Sequence, residues 1–368
     1  MGNNSTEFFL ELVRAGLWEK DVRLLSNNSF DYKEIYTLAE EQAVIGLVAA
    51  GVEHVKNIKI PQNEALLLVG NALQLEQRNI AMNNFIGEII ERLRSEGIHS
   101  VLVKGQGIAQ CYERPLWRSA GDIDLLLDAD NYRKAKEYLS PLSSYIEPED
   151  KKRLHLGMTI TPWIVELHGT MHTELSNRMN RVIDDVQNKV FIDDKVRCWN
   201  NDSTEVYLPN ADEDIIIIFT HFIDHFYGGG VGLRQICDWC RLLWTYRERI
   251  NLQLLEKRIH NMGLTSEWKA FAALAVDSLG MPVSAMPFYE KSPSLTHKAG
   301  RIMRLILQAG NMGQNKDESY RKKYSKGISN IIIALRRFIE FARISKIFPS
   351  NAPVFFVKYL INRYKAVG

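Results

Sequence analysis

Apolar residues recur at intervals of three and four through most of the first hundred positions. TEFFLELVRAGLW, YKEIYTLAEEQAVIGLVAAGVEHV and NEALLLVGNALQLEQRNIAMNNFIGEIIERLRSEG all follow that spacing, which predicts helices over 5–97 with Gly97 as the stop. The pattern then shortens. IHSVLVKG, DIDLLLD, LHLGMTI and WIVELHG read as strands, and GIAQCYERPLW and NYRKAKEYL as short helices among them, so a βαβ arrangement with added strands is expected. Past about residue 175 the signal weakens through NRMNRVIDDVQNKVFIDDKVRCWNNDSTEVYL, read as a connection with one more strand pair. From residue 212 the helical spacing returns in ADEDIIIIFTHFIDHFY, breaks at glycines 228–230, and resumes in GLRQICDWCRLLWTYRERI, LQLLEKRIHNMG and TSEWKAFAALAVDSLG. MPVSAMPFYEKSPS is a proline-marked linker, and Pro349 and Pro353 separate the last two helical runs. The expected fold is α+β, with a small mixed β-sheet core at 98–210 between an N-terminal helical segment at 1–97 and a helical domain at 211–290. A basic helical region at 291–368 ends the chain.

Composition narrows the class. With 368 residues and 46% hydrophobic content the chain can build a sizeable core. No uninterrupted apolar run approaches the roughly 20 residues of a membrane span, so a soluble, cytoplasmic protein is expected. Cys111, Cys198, Cys237 and Cys240 are too few and too irregular for a disulfide framework, and the C-x-x-C pair on a helical run reads as two buried thiols. The net charge of +2 hides an asymmetry: residues 291–368 carry 16 basic and 3 acidic side chains, or +13, which leaves −11 for the rest. The tail is a candidate contact for an anionic partner, against a solvated basic face or an internal match to the acidic remainder.

The candidate chemistry lies in the strand-like segments. Asp122 and Asp124 are two apart in DIDLLLD, and residues i and i+2 of a strand share a face, so both carboxylates point to one spot. Glu166, in WIVELHG, is a third carboxylate for the same spot. Such a cluster repels itself and suits a pair of Mg²⁺ (or Mn²⁺) ions. Upstream, Lys104, Gly105 and Gln106 turn the first strand into a helix whose N-terminal amides could take phosphate. Lys104 and Arg118 could each neutralise a phosphate group. His168 shares the strand face of Glu166 and could bind substrate or position that carboxylate. His221, Arg234 and Asp238 fall on helices that could cover the site, although Arg234 and Asp238, at i and i+4, could equally be an ordinary ion pair. Neither H-x-x-x-H pair, His168 with His172 or His221 with His225, has the glutamate of a zinc hydrolase. Each carboxylate motif alone is common on solvent-facing strands; together, with Lys-Gly at the end of a strand, they favour a catalytic site.

Lys-Gly at a strand end, Tyr112, a proline, Arg118, then GDIDLLL and VELH make the chain similar to the DNA polymerase β-like nucleotidyltransferase superfamily. Within it the spacing looks most like the uncharacterised nucleotidyltransferase family of bacterial biosynthetic gene clusters. The resemblance is specific over 102–127 and 165–168 and looser elsewhere. It implies a two-metal transfer of a nucleoside monophosphate from a triphosphate such as ATP to a hydroxyl acceptor, with pyrophosphate released. Asp122, Asp124 and Glu166 would be catalytic and metal-binding, and Lys104, Gly105, Gln106 and Arg118 would be nucleotide-binding. The usual Gly-Ser or Gly-Gly before the aspartates is replaced here by Gly105-Gln106 after Lys104, which makes Lys104 the candidate for the missing phosphate contact. The acceptor stays open among a small metabolite, a sugar phosphate, a protein side chain and an RNA end. A toxin-like enzyme acting on RNA or protein, and a catalytically silent nucleotide-binding regulator, are the rival readings.

Overall fold

The computed structural model describes residues 3–23, 30–315 and 326–365. The chain is α+β: helices pack on both sides of one five-stranded mixed sheet, and a separate hairpin lies beside it. The N-terminal region holds α1 (Asn3–Trp18), α2 (Tyr32–Glu41), α3 (Ile45–Glu53) and the 34-residue α4 (Gln62–Ser95). The run expected as one helix over α2 and α3 is broken at Gln42–Val44, where Ala43 takes a φ of 54°. The break has a tertiary cause. Gln42 is fully buried, donates to the Ile306 carbonyl at 3.2 Å and accepts from the Leu233 amide at 3.0 Å, so it ties this corner to two later helices. Gly16 and Gly51 let α1 and α3 cross with backbones touching, since a Cβ at either would strike the other helix's main chain.

The sheet contains β1 (Val101–Val103), β2 (Ile123–Leu126), β3 (Tyr145–Ile146), β4 (His155–Ile160) and β5 (Trp163–His168), in the order β1-β2-β5-β4-β3. Only β2 and β5 run parallel; the other neighbours are antiparallel. Between these strands lie the five-residue α5 (Gly105–Ala109) and α6 (Ala129–Leu139), whose cap Asp128 accepts from the amides of Asp130 and Asn131. Strand alternation divides the sheet's two faces. Leu102, Ile123, Leu125, Val165 and Leu167 pack with Ile86, Ile90 and Leu93 of α4 and Ala135 and Leu139 of α6. The other face carries Val103, Asp124, Leu126, Glu166 and His168, and its apolar members join the large core shared by α1–α3 and the helices after residue 211.

The segment after residue 175 holds more structure than its sequence suggested. It forms α7 (Asn177–Phe191), capped by Ser176 and seated through Met179, Val182, Ile183, Val186 and Val190, followed by the hairpin of β6 (Val196–Asn201) and β7 (Thr204–Pro209). Next come α8 (Ala211–Gly228), α9 (Leu233–Tyr246), α10 (Leu252–Met262), α11 (Thr265–Asp277), α12 (Pro293–Ala309), α13 (Lys326–Ser345) and α14 (Ala352–Lys365). The glycine run ends α8, with Gly229 left-handed at φ 82°. Part of the basic tail's charge serves the fold. Arg337 donates to the carbonyls of Gly228 and Tyr227, placing a cation at the C-terminal end of α8. Among the described residues no helix is long and apolar enough to cross a membrane.

Candidate functional site

Register assembles the site. Across the sheet, Val103 lies opposite Asp124, Asp124 opposite Glu166, and Glu166 opposite Gly157. One step along, Leu126 lies opposite His168 and His168 opposite His155. A row of carboxylates therefore runs beside a pair of histidines on the face turned toward α8 and α9. Asp122, just before β2, completes the first row: one oxygen from each of Asp122, Asp124 and Glu166 lies within 4.8 Å of the others. These residues line a cavity of about 330 Å³ together with Lys104, His221 and Arg234.

The positive charge facing the cluster comes first from Lys104. Its Nζ lies 2.5 Å from Asp124 Oδ1, and its backbone sits at φ 57°, ψ −145°, where a residue with a side chain is strained. Gly105 follows at φ 36°, so the chain bends sharply at the β1–α5 turn, where the lysine reaches Asp124 on the neighbouring strand β2. Burial works against the ammonium, but Asp124, Glu166 and Asp122 outweigh it and hold the Lys104 pKa above its ordinary value. Repulsion from Asp124, aided by burial, raises Asp122. Glu166 moves the opposite way. Burial would raise it, but hydrogen bonds from His155 (3.1 Å) and His168 (3.4 Å) and the charge of Lys104 hold it far below the usual carboxylate range. His168 also donates to Asp124 Oδ1 at 2.8 Å; burial and Lys104 oppose its protonation, and the two carboxylates prevail and raise its pKa.

Two expected phosphate contacts are placed differently. Arg118 reaches the cavity wall, but its Nε and Nη2 form a fork on Asp238 at 3.0 and 2.7 Å, with both side chains 5% exposed, and Tyr112 donates to the same carboxylate at 2.8 Å. Gln106 turns away from the cavity. It donates to Asn79 Oδ1 at 3.0 Å, and Asn79 in turn holds the carbonyls of Leu116 and Arg118, so its amide anchors the loop before β2. Nor do Arg234 and Asp238 pair with each other along α9. Arg234 donates to the Ser119 carbonyl at 3.0 Å, its buried Nε has no partner, and burial and Arg118 lower its pKa. Lys104, Gly105, Asp122, Asp124, Glu166 and His168 do come together as expected.

Sequence reasoning missed His155. Its strand was expected, but only the antiparallel pairing of β4 with β5 shows that it faces His168. His225 and Asp224 of α8 also line the cavity. Burial, with Lys104 and Arg234, pushes His225 down to about 4, and burial pushes Asp224 up to about 6, so each shift disfavours the charged form.

A family model described as uncharacterised nucleotidyltransferase matches residues 28–280, well over half of the chain. The chain belongs to that family. The match contains every residue of the cavity and stops short of the basic region that begins at residue 291. No curated protein and no solved structure matches the chain.

Proposed function

We propose that the protein transfers a nucleoside monophosphate from a nucleoside triphosphate to a hydroxyl acceptor. The acceptor hydroxyl gives up its proton to solvent as its oxygen bonds to the α-phosphorus, the bond from that phosphorus to the α–β bridging oxygen breaks, and pyrophosphate leaves with the electron pair. The carrying observation is the convergence of Asp122, Asp124 and Glu166 in a cavity where Lys104 is the ammonium paired with them. Three hard oxygen donors so close together fit Mg²⁺ or Mn²⁺, which is also what the resemblance to the DNA polymerase β-like superfamily calls for. When bound there, the divalent cations would supply charge neutralisation at the attacking and leaving oxygens.

The remaining work belongs to the chain. Lys104 keeps Asp124 ionised and in place and presents a cation at the mouth of the β1–α5 turn, where Gly105 leaves the backbone open to a phosphate. Arg234, whose guanidinium has no carboxylate partner among the described residues, supplies the phosphate contact expected of Arg118. His168 fixes the orientation of Asp124, and with His155 it pins Glu166 as an anion, which makes Glu166 a better ligand than proton acceptor. The reading is tested with labelled triphosphates and Mg²⁺ or Mn²⁺. Pyrophosphate release or label transfer should occur with the wild type and vanish in Asp122→Asn and Asp124→Asn. If both variants bind metal and nucleotide as the wild type does, the site is misassigned.

A further inference from the structure

The histidine pair beside the carboxylates has chemistry of its own. The β4–β5 register sets His155 directly across from His168, with ring centroids 4.7 Å apart and planes tilted by 34°. Both Nε2 atoms converge on one oxygen, Glu166 Oε2, at 3.1 and 3.4 Å. One donor atom from each of His155, Glu166 and His168 lies within 4.8 Å of the other two. A single imidazole would satisfy that oxygen. Two imidazoles and a carboxylate aimed at a common point make a three-donor set with mixed nitrogen and oxygen ligands, and the adjoining cavity leaves room for further ligands.

We propose that His155, Glu166 and His168 form a cation position distinct in chemistry from the all-carboxylate cluster, selective for a first-row transition dication such as Mn²⁺ over Mg²⁺. Mg²⁺ prefers six oxygens in a near-octahedral shell, whereas imidazole with carboxylate suits the transition dications. Glu166 belongs to both donor sets, so one side chain joins the two positions. The inference rests on the same site as the proposed transfer reaction, but it is read out by metal binding without turnover.

The experiment uses the full chain, stripped with a chelator and titrated with MnCl₂ alone, followed by electron paramagnetic resonance and by the ¹⁴N modulation of the bound-ion signal. The wild type should show imidazole nitrogen coupled to bound Mn²⁺, and Mg²⁺ should displace it poorly. His155→Ala should weaken Mn²⁺ binding by about tenfold or more and reduce the nitrogen coupling. His155→Asn retains a donor for the Glu166 hydrogen bond but has no imidazole, so it should lose the same coupling in a protein that folds as the wild type does. Asp122→Asn should keep the nitrogen-coupled ion even where transfer is lost, which separates this inference from the reaction. Bound Mn²⁺ without nitrogen coupling, or equal Mn²⁺ affinity in the wild type and both His155 variants, would overturn it.

Discussion

Two buried charge clusters lie within a few residues of each other and are built on opposite principles. Arg118 and Asp238 are one of each sign, joined by two parallel hydrogen bonds, with Tyr112 on the remaining capacity of the carboxylate. Asp122, Asp124 and Glu166 are three like charges, with Lys104 against them and two histidines arranged around the edge. The first cluster is electrostatically complete and pins α9 to the loop before β2. The second sets three carboxylates against one ammonium, an excess of negative charge that the proposed cations would balance. Arg118 and Arg234 show the same contrast among the cations: the former is saturated, and the latter has a buried nitrogen with no partner. Under the proposed function, unsatisfied charge marks the working site and satisfied charge marks the scaffold that holds it.

That distinction is most exposed to failure at Glu166. Glu166→Gln should lower single-turnover nucleotide transfer by about a hundredfold or more while leaving the urea midpoint close to that of the wild type. Asp238→Ala should do the reverse in kind. It strands a buried guanidinium and should lower stability by about 3–5 kcal/mol, read as a fall in the urea midpoint. If Asp238→Ala keeps wild-type stability but loses triphosphate binding, the two clusters have been assigned the wrong way round. Arg234→Gln should be smaller again, weakening triphosphate binding by about tenfold in a calorimetric titration without a loss of stability.

The smallest effect is a pH dependence. His225 has a folded pKa pushed down to about 4 against an ordinary value of 6.5, so it contributes stability that is fully present above pH 6.5 and is lost as pH falls toward 4. Asp224, pushed up to about 6, acts in the opposite direction, contributing stability below its ordinary value that is lost as pH rises through 6. Melting temperatures of the wild type and His225→Gln, compared between pH 7 and 4, isolate the first term. The acid loss should be smaller in the variant, by on the order of 1–2 kcal/mol.

The local periodicity of the strands made much of this site readable. DIDLLLD and WIVELHG put Asp122, Asp124, Glu166 and His168 on one face because side chains alternate along a strand, and the α+β class followed from the change of period near residue 98. What depended on distant pairing was not readable. His155 gains its meaning from a strand partner 13 positions later, and the bond between Arg118 and Asp238 spans 120 positions. The same holds for the break at Gln42, which is set by contacts with Leu233 and Ile306. The helix at Asn177–Phe191 is a different case. Its apolar positions do repeat at three and four, but the Asn, Asp and Arg residues between them leave a narrow stripe that reads as a weak signal until it is seen packed.

The central claim is that the carboxylate cluster is held in an unfavourable state which cations and a triphosphate resolve. Asp122→Asn removes one of the repelling charges while keeping the shape, and its melting temperature tests the claim in a single comparison. At neutral pH the charged form of Asp122 is disfavoured by Asp124 and by burial, so in chelator the variant should melt above the wild type. With Mg²⁺ and a triphosphate added, the order should invert, since ligand at a hundred times its dissociation constant stabilises the wild type by about 2.7 kcal/mol and the variant binds more weakly. A variant that melts below the wild type in chelator, or an order that metal and nucleotide leave unchanged, would contradict the account.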